Sequence, residues 1–405
     1  MATGSGKFPP MHPVSGFRLG TASAGIKAPG RKDLVVMELS EATTAAALFT
    51  KNAFCAAPVT VAKQHLQSGA PRYLLINTGN ANAGTGDVGL ADAQRSCQVL
   101  GDLQSVPANL VLPFSTGVIG ETLPMETLLA GIPLAVAALD EKGWADAAEG
   151  ILTTDTRPKG SSLQFTLDGN SDTQITITGI SKGSGMIKPN MATMLSFVAT
   201  DAEIDGELLH RALQLVTDKS FNRITVDSDT STNDSVVLAA TGASGVVIDE
   251  SNFEQFVTHL EKVFIELAQL IIRDGEGAGK FVSVVVDSAA DSEEAVKVAY
   301  CIAESPLVKT ALAASDANWG RILAAVGRAG VEGLDVSQVS INLNDVSIVE
   351  QGGRAASYTE EAGEQAMAPE DITIKVSLNR GTAAETVWTT DLTYEYVRIN
   401  AEYRT

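Results

Sequence analysis

The sequence has few of the residues from which metal centres and disulfide frameworks are built. Its 405 residues include four histidines and three cysteines, Cys55, Cys97 and Cys301. The cysteines are far apart and lack the Cys-x-x-Cys spacing, so the sequence predicts neither a disulfide framework nor a cysteine-based metal site. Isolated thiols of this kind are typical of a reducing compartment. We therefore expect free thiols and no bound metal ion.

Basic residues and long apolar runs are also scarce. The chain has 29 Lys and Arg against 49 Asp and Glu, which gives a formal net charge of −20. Nucleic-acid binding requires clustered Lys and Arg, so this charge argues against a nucleic-acid partner. No apolar run approaches the roughly 20 residues of a membrane span. The first residues also lack the apolar segment of a secretory signal. We expect a cytoplasmic protein without a membrane partner.

The sequence does contain enough apolar material for a large core. Hydrophobic residues make up 44% of the chain and charged residues 19%, which is typical of globular proteins. Runs with the composition of strands lie at 34–39, 73–77, 281–287, 339–343, 372–377, 387–391 and 394–400. Apolar residues at helical spacing predict helices at 124–139, 205–219, 251–273 and 291–302. This mixed order predicts a layered α/β or α+β fold.

One predicted helix begins with a recognisable capping pattern. Ser251 and Glu254 have the spacing of a capping box, in which the serine caps an amide and the glutamate reaches back to the serine backbone. Apolar residues then recur at helical spacing from Phe256 to Ile271. We therefore expect the helix to start at Ser251.

Known catalytic motifs are incomplete or missing. No Gly-x-Ser-x-Gly pattern marks a nucleophilic serine. The stretch Gly275–Lys280 resembles part of a phosphate-binding loop, but Asp274 and Phe281 occupy positions where the full motif requires Gly and Ser or Thr. We expect its glycines to form a tight turn that holds Glu276 near a site.

The segment Lys182–Val198 joins a polar, glycine-containing loop directly to an apolar run. Pro189 and Asn190 favour a sharp bend, and Thr193 stands where the apolar run begins. If the bond before Thr193 were cut, the new α-amine could activate the threonine hydroxyl as a nucleophile. Threonine is also ordinary at the start of a strand. The residues alone therefore leave two interpretations open, a self-activated nucleophile and an incidental strand residue.

The same segment is similar to the autocleavage region of the arginine biosynthesis bifunctional protein family. Members of this family are glutamate N-acetyltransferases, also called ornithine acetyltransferases. Further similar stretches are spread over the chain, at 16–20, 22–27, 49–58, 77–83, 115–121, 153–156, 274–280, 318–322 and 399–405. One departure is Ala317, where the family often has proline, and this position carries no reactive group.

The resemblance implies a layered α/β sandwich of the type shared with certain self-cleaving aminopeptidases. It also implies cleavage between Ala192 and Thr193, which yields an α chain, 1–192, and a β chain, 193–405. Two copies of each chain would form a heterotetramer. Thr193 would take the acetyl group from N2-acetylornithine, release ornithine, and pass the acetyl group to L-glutamate in a ping-pong reaction.

The family's functional positions match residues of this chain. By resemblance, Thr116 and Gly117 are the oxyanion donors. The substrate-binding residues would be Thr153, Thr154, Lys182, Thr193, Glu276, Asn400 and Thr405, with the choice between Thr153 and Thr154 left open. Lys182 is a suitable partner for a substrate carboxylate, and Glu276 for a substrate ammonium.

Three functional questions stay open at the level of sequence. No cofactor is expected, although acetyl-CoA is a possible co-substrate because some family members accept it. An aminopeptidase or amidase of the same fold is the first alternative, in which water resolves the acyl-enzyme. A nucleotide-binding protein that uses the loop Gly275–Lys280 is the second.

Overall fold

The computed structural model describes residues 2–4, 6–27, 29–168, 170–188 and 194–402, without the side chains of 170–172. The strands of the first half are β1 (Phe17–Ala22), β2 (Leu34–Leu39), β3 (Thr44–Phe49), β4 (Tyr73–Asn80), β5 (Val111–Val118), β6 (Lys159–Leu167), β7 (Asn170–Lys182), β8 (Leu195–Thr200) and β9 (Glu203–Ile204). Those of the second half are β10 (Ile224–Thr225), β11 (Ser235–Ala240), β12 (Val247–Ile248), β13 (Phe281–Ala289), β14 (Ser340–Leu343), β15 (Val346–Glu350), β16 (Gly353–Arg354), β17 (Asp371–Ser377) and β18 (Ala383–Thr390).

Helices lie between several of these strands, and one follows the last strand. They are α1 (Ala57–Ser68), α2 (Gly86–Gln104), α3 (Met125–Ala137), α4 (Trp144–Gly150), α5 (Gly206–Lys219), α6 (Phe253–Arg273), α7 (Ser292–Ala303), α8 (Pro306–Ala313), α9 (Trp319–Gly327), α10 (Glu360–Met367) and α11 (Tyr394–Ala401). Within the described ranges, no helix combines the length and apolar character required to cross a membrane.

Two sheets pack face to face at the centre of the molecule. One has the strand order β1-β2-β4-β5, and the other has the order β3-β11-β8-β7-β6. Their inner faces share one apolar core, to which Phe114 of the first sheet and Phe197 of the second contribute an edge-to-face pair at 5.2 Å. Helices α2 and α3 cover the outside of the first sheet, and α5 and α6 cover the outside of the second. The predicted layered α/β sandwich is confirmed.

Alternation along the strands explains why both faces of each sheet are buried. In β2, Leu34 and Val36 point to the helices, whereas Val35 and Met37 point to the opposite sheet. Successive side chains of a strand point to opposite faces, so a strand that is apolar throughout suits a sheet covered on both sides. The predicted strand at 34–39 therefore becomes an internal strand of the sandwich.

A third sheet forms a separate layer built from the second half of the chain. Its seven strands follow the order β10-β18-β13-β17-β14-β15-β16. Side chains of α7, α9 and α10 pack on it in their own apolar core. The strands predicted at 281–287, 339–343, 372–377 and 387–391 all lie in this sheet, and the helix predicted at 291–302 is α7.

Two local predictions are wrong. The segment 394–400 is the helix α11 and not a strand. Its Arg398 pairs with Glu395 at 2.5 Å and with Glu402 at 3.3 Å, and these spacings stabilise a helix. The side chains of Tyr396 and Asn400 are both held by acidic residues of the site, so tertiary contacts outweigh the strand-like composition.

The predicted capping box is also absent. Helix α6 begins at Phe253, with Asn252 as its N-cap and without a side-chain cap. Ser251 instead donates from Oγ to Oδ1 of Asp249 at 2.5 Å. The local aspartate competes for the serine hydroxyl, so the helix starts two residues later than predicted.

Candidate active site

A cavity of about 270 Å³ lies at one end of the sandwich, where β5 of one sheet approaches β7 and β8 of the other. Its lining includes every site residue predicted from the sequence that the structure describes, namely Thr116, Gly117, Thr153, Thr154, Lys182, Glu276 and Asn400. These residues come from five separate parts of the chain. This volume lies just below the range of about 300–1,000 Å³ that is typical of pockets for drug-sized ligands, so the cavity suits a smaller molecule.

Thr116 and Gly117 stand where β5 stops pairing regularly with β4. The pairing shifts at Gly79 and Asn80, which forms a bulge. Gly117 has a φ of +138°, and a side chain there would overlap the backbone of Gly79. A bulge with glycine on both strands turns the backbone away from regular pairing. Thr116 and Gly117 are thereby presented at the wall of the cavity.

Lys182 ends β7 on the face that looks towards the other sheet. Its ammonium donates to Oγ1 of Thr116 at 3.3 Å, and its side chain is only 10% exposed. Burial lowers the pKa of Lys182 below its ordinary value, and the charge of Asp155 opposes that shift. The result is a buried cation beside the predicted oxyanion donors.

Glu276 also lines the cavity and is closely surrounded by its neighbours. Asn400 of α11 donates from Nδ2 to its Oε2 at 2.8 Å. A Cβ atom placed on Gly185 would come within 2.5 Å of the Glu276 carboxylate. Gly277, the next residue, has a φ of +69° and packs under the start of α11. The glycine-rich turn thus holds Glu276 at the site, as predicted.

The loop Gly275–Lys280 is occupied by contacts that exclude a phosphate cradle. The amides of Gly279 and Lys280 donate to Oδ1 of Asp391 at 2.8 and 3.1 Å. The Lys280 ammonium donates to the carbonyls of Met367 and Pro369 at 2.8 Å each. Amides and lysine that would bind phosphate are therefore engaged with protein groups, and the nucleotide-binding alternative is not supported.

Beneath the cavity lies a buried group of charged residues that the sequence analysis did not single out. The ammonium of Lys159 donates to Asp155 and to Asp274 at 2.6 Å each, and all three side chains are fully buried. Burial alone would raise the pKa of Asp155, but the charges of Lys159 and Lys182 hold it well below its usual range. The only sequence signal for this group was the position of Asp155 directly after the threonine pair 153–154.

A second set of residues missed from the sequence precedes β11. Asn233 donates from Nδ2 to the carbonyls of Ala81 and Ser115 at 2.6 and 2.9 Å, which ties β11 to the strand that carries Thr116. Asp234 is buried, and its Oδ2 has no hydrogen-bond partner within the described residues. Burial raises the pKa of Asp234 well above its usual range, opposed by Ser231 and Lys182. The sequence signal for Asn233 and Asp234 was a polar stretch directly before a buried strand. The same kind of signal pointed to Thr193.

The loop that follows Lys182 is held by the carboxylate of Asp227. Asp227 accepts the amides of Met186 and Ile187 at 2.7 and 2.8 Å, and the hydroxyl of Tyr396 at 3.3 Å. Burial raises the pKa of Asp227, and its bonds from these backbone amides oppose the rise. The segment between β7 and β8 is thus fixed at residues 186 and 187.

Three of the predicted site residues, Ala192, Thr193 and Thr405, lie outside the described residues. Their neighbour Met194 is described. The amide of Ser235 donates to the Met194 carbonyl at 2.9 Å, and Leu195 opposes Lys182 across the ladder between β7 and β8. Residue 194 therefore lies at the start of the central strand of its sheet, beside the cavity end of β7.

The structure offers no arrangement for a metal ion among the residues it describes. Cys97 is a buried free thiol, and Cys55 and Cys301 are half-buried free thiols. His259 stacks on Phe165 at 4.0 Å between ring centroids. His259 and the buried Cys97 therefore contribute to packing.

Comparison with known proteins decides the family. The model of the ArgJ family matches residues 18–405. The chain belongs to the ArgJ family. It is 56% identical over 409 residues to the arginine biosynthesis bifunctional protein ArgJ of Pseudomonas syringae pv. tomato, with all of both chains covered. It is 54% identical to the ArgJ of Methylococcus capsulatus, with 97% of this chain and 96% of the relative covered. The resemblance noted in the sequence is confirmed.

A solved ArgJ structure extends the comparison to the fold. The crystal structure of the arginine biosynthesis bifunctional protein ArgJ from Bacillus halodurans is 42% identical, with a TM-score of 0.50. The match covers 52% of this chain and 100% of the solved chain. The solved chain therefore corresponds to about half of the present one.

Proposed function

We propose that this ArgJ family member is a glutamate N-acetyltransferase that moves the acetyl group of N2-acetylornithine to L-glutamate. The observation that carries the proposal is the shared cavity, because all predicted site residues in the described part of the chain line it. The name of the relatives, arginine biosynthesis bifunctional protein, supports the same assignment. The product N-acetylglutamate and the released ornithine fit a role in arginine biosynthesis.

Thr193 is the proposed nucleophile, freed by cleavage of the Ala192–Thr193 bond. The described neighbours support this assignment, since residue 194 begins a central strand at the edge of the cavity. In the first half-reaction, the Thr193 hydroxyl attacks the acetyl carbonyl and its proton passes to the α-amine of Thr193. That proton is then delivered to the leaving nitrogen of ornithine, which leaves an acetyl ester on Thr193.

In the second half-reaction, the neutral α-amine of glutamate attacks the acetyl ester. The amine proton returns through the Thr193 α-amine to the Thr193 oxygen, so the free enzyme and N-acetylglutamate result. Thr116 and Gly117 would donate to the tetrahedral oxygen in both steps. One amide replaces another, so no external energy source is required.

The charges in the cavity suit amino-acid substrates. Lys182 supplies a cation for the α-carboxylate, and Glu276 supplies an anion for an ammonium group. Thr153 and Thr154 both line the cavity beside Lys182, and Asn400 orients Glu276. Thr405 is proposed as a further substrate contact, and acetyl-CoA as a possible second donor. No cofactor is required for these steps.

Cleavage would divide the chain into an α chain, 1–192, and a β chain, 193–405. The sandwich core is built from residues of both parts, including Phe114 and Phe197. The parts also remain linked through the ladder between β7 and β8. The half-length match to the solved relative supports such a division. We extend the proposal to a heterotetramer of two α and two β chains.

Denaturing electrophoresis with N-terminal sequencing tests the cleavage. We expect two fragments with a new N-terminus at Thr193, and a single intact chain for Thr193→Ala. Thr193→Ser keeps a hydroxyl and is the matched control, in which cleavage should persist. A fully active, intact chain of 405 residues would contradict the mechanism.

A substrate assay separates transfer from hydrolysis. Ornithine release from N2-acetylornithine should depend on added L-glutamate, and the product should be N-acetylglutamate. Release that proceeds equally without glutamate would indicate the aminopeptidase or amidase alternative. Formation of N-acetylglutamate from acetyl-CoA and glutamate tests the second donor.

A further inference from the structure

The Asp155 carboxylate contacts two parts of the chain that form the cavity, the Thr153 backbone and the end of β7 at Lys182 and Gly183. Its Oδ1 accepts the backbone amide of Gly183 at 2.7 Å, and its Oδ2 accepts the backbone amide of Thr153 at 3.0 Å. Its Oδ2 also lies 4.0 Å from the ammonium of Lys182. The side chain itself is fully buried and makes no contribution to the cavity lining. Asp155 is therefore placed to act on substrate through other residues.

Several charged groups around Lys182, including the Asp155 carboxylate, affect whether this lysine is protonated. The groups that face the Lys182 ammonium are Asp155, Lys159, Asp234 and Glu276, and Lys27 also interacts with it from the loop before β2. Among these charges, Asp155 has the largest effect on the pKa of Lys182. Its carboxylate also lies within ion-pair distance of the Lys182 ammonium, at 4.0 Å. Lys159 repels Lys182, and its own charge is balanced by ion pairs with Asp155 and Asp274 at 2.6 Å each.

We propose that Asp155 is a positioning residue for substrate binding, which fixes the Thr153 backbone and Lys182 in the cavity and keeps Lys182 charged for a carboxylate. The inference rests on the proposed function, in which Lys182 binds the substrate carboxylate. Like-charge repulsion and burial both favour the neutral form of a lysine, whereas a nearby carboxylate favours the charged form. Without Asp155, Lys182 would lose the negative charge that most favours its charged form. The repulsion from Lys159 would remain.

The charge of Lys182 should make substrate binding depend on pH with a definite sign. Lys182 must be protonated to attract a carboxylate. Removal of the Asp155 charge lowers the pKa of Lys182 further, so a larger fraction of the lysine becomes neutral as the pH rises. Substrate affinity should therefore fall more steeply from pH 6 to pH 9 in Asp155→Asn than in the unchanged enzyme. Acidic buffer should partly restore it.

The test measures KM and kcat for N2-acetylornithine in Asp155→Asn, Asp155→Glu and the unchanged enzyme. Asp155→Asn should raise KM about 10- to 100-fold at pH 8, the range for loss of hydrogen bonds to a charged group, with a smaller effect at pH 6. Asp155→Glu retains the charge but displaces it from the two amides. It should raise KM without steepening the pH dependence.

Asp274→Asn is the matched control for loss of a buried ion pair. Asp274 bonds to Lys159 at the same distance as Asp155 and is equally buried, but its other partners are the backbone amide and hydroxyl of Thr156. It should lower the resistance to denaturant and steepen the pH dependence of KM less than Asp155→Asn does, because Asp274 acts on Lys182 only through Lys159. An unchanged KM in Asp155→Asn, or the same pH profile in Asp155→Asn and Asp274→Asn, would overturn the proposal. If Asp155→Asn does not fold, an unchanged KM in Asp155→Glu would overturn it.

A measurement independent of turnover separates this proposal from the proposed function. The acylation rate of Lys182 by an amine-reactive reagent, followed by mass spectrometry against pH, reports the charge of this lysine directly. Asp155→Asn should shift the midpoint to lower pH, and an unshifted midpoint would refute the role of Asp155. Absence of acetyl transfer in the unchanged protein would instead refute the proposed function.

Discussion

Gly185→Ala offers a sharp test of the cavity because the substitution acts on one carboxylate. A Cβ atom at Gly185 would lie within 2.5 Å of the Glu276 carboxylate. Non-bonded heavy atoms prefer about 3.5–4.0 Å, so Glu276 would have to retreat by about 1 Å. The backbone at Gly185 does not have the positive φ that disfavours alanine. Any change in substrate binding in Gly185→Ala should therefore come from the clash with Glu276 and not from backbone strain.

The size of the expected change in KM follows from the hydrogen bond that Glu276 would lose. Its Oε2 accepts Nδ2 of Asn400 at 2.8 Å, and the same carboxylate is the proposed partner of the substrate ammonium. A hydrogen bond to a charged group contributes about 1.5–3 kcal/mol. At 1.36 kcal/mol per tenfold change, loss of one such bond raises KM for N2-acetylornithine by about 10- to 100-fold.

Steady-state kinetics of the acetyl transfer, with electrophoresis to verify cleavage, provide the assay. Gly327→Ala is a suitable control, because a Cβ atom there has no neighbour within 4 Å. That variant should keep the KM of the unchanged enzyme. A KM for Gly185→Ala within about twofold of the control would refute the placement of Glu276 against Gly185, since a twofold change corresponds to only about 0.4 kcal/mol.

Three further predictions test catalysis, packing and electrostatics. Thr116→Val should lower kcat about 10²- to 10³-fold through loss of an oxyanion donor, whereas Thr116→Ser should retain most activity; equal kcat values in steady-state assays would contradict the role. Phe197→Ala should reduce the free energy of unfolding by about 3–5 kcal/mol, measured by urea titration, whereas Phe54→Ala, at a position 55% exposed, should change it little. Burial lowers the pKa of Lys309 to about 8, below the unfolded value of about 10.4, so the unfolded chain binds more protons between these values. Stability should therefore rise with pH in that window by up to about 1.4 kcal/mol per unit, and urea titrations at pH 8 and 10 should show no such gain in Lys309→Met.

Several elements could be predicted from local pattern because burial there follows the periodicity of one element. The strand at 34–39 is apolar except for Glu38, and its apolar side chains are buried on both faces. Helix α5 has a one-sided apolar pattern and a capping Asp205 that accepts the amides of Glu207 and Leu208. Helix α2 was missed, since its Gly, Ala and Asp residues give a weak apolar pattern, and its burial depends on packing against α3 and the sheet.

The segment at 394–400 shows why local preference alone can fail. Its aromatic and β-branched residues are typical of strands. The preceding strand β18 ends at Thr390, and the carboxylate of the next residue, Asp391, is engaged by the amides of Gly279 and Lys280. The chain then forms α11, which places Tyr396 on Asp227 and Asn400 on Glu276. Contacts with residues more than a hundred positions away in the sequence thus determine the conformation of the segment 394–400.

The sequence by itself identified the family of this protein and the candidate residues for its chemistry. A threonine at the junction of a polar loop and an apolar strand, together with ordered motifs over the chain, identified Thr193, Lys182 and Glu276 as candidates. Such motifs are local, so they can be read without the fold.

Only the tertiary structure showed how residues from distant parts of the chain cooperate. The packing of the two sheets brings Thr116 to within 3.3 Å of the Lys182 ammonium. Asp155 and Asp274, 119 residues apart in sequence, are both buried against the ammonium of Lys159. Burial in a low-dielectric interior makes each of these charges depend on its neighbours. That dependence arises from spatial proximity, which no local pattern of residues encodes.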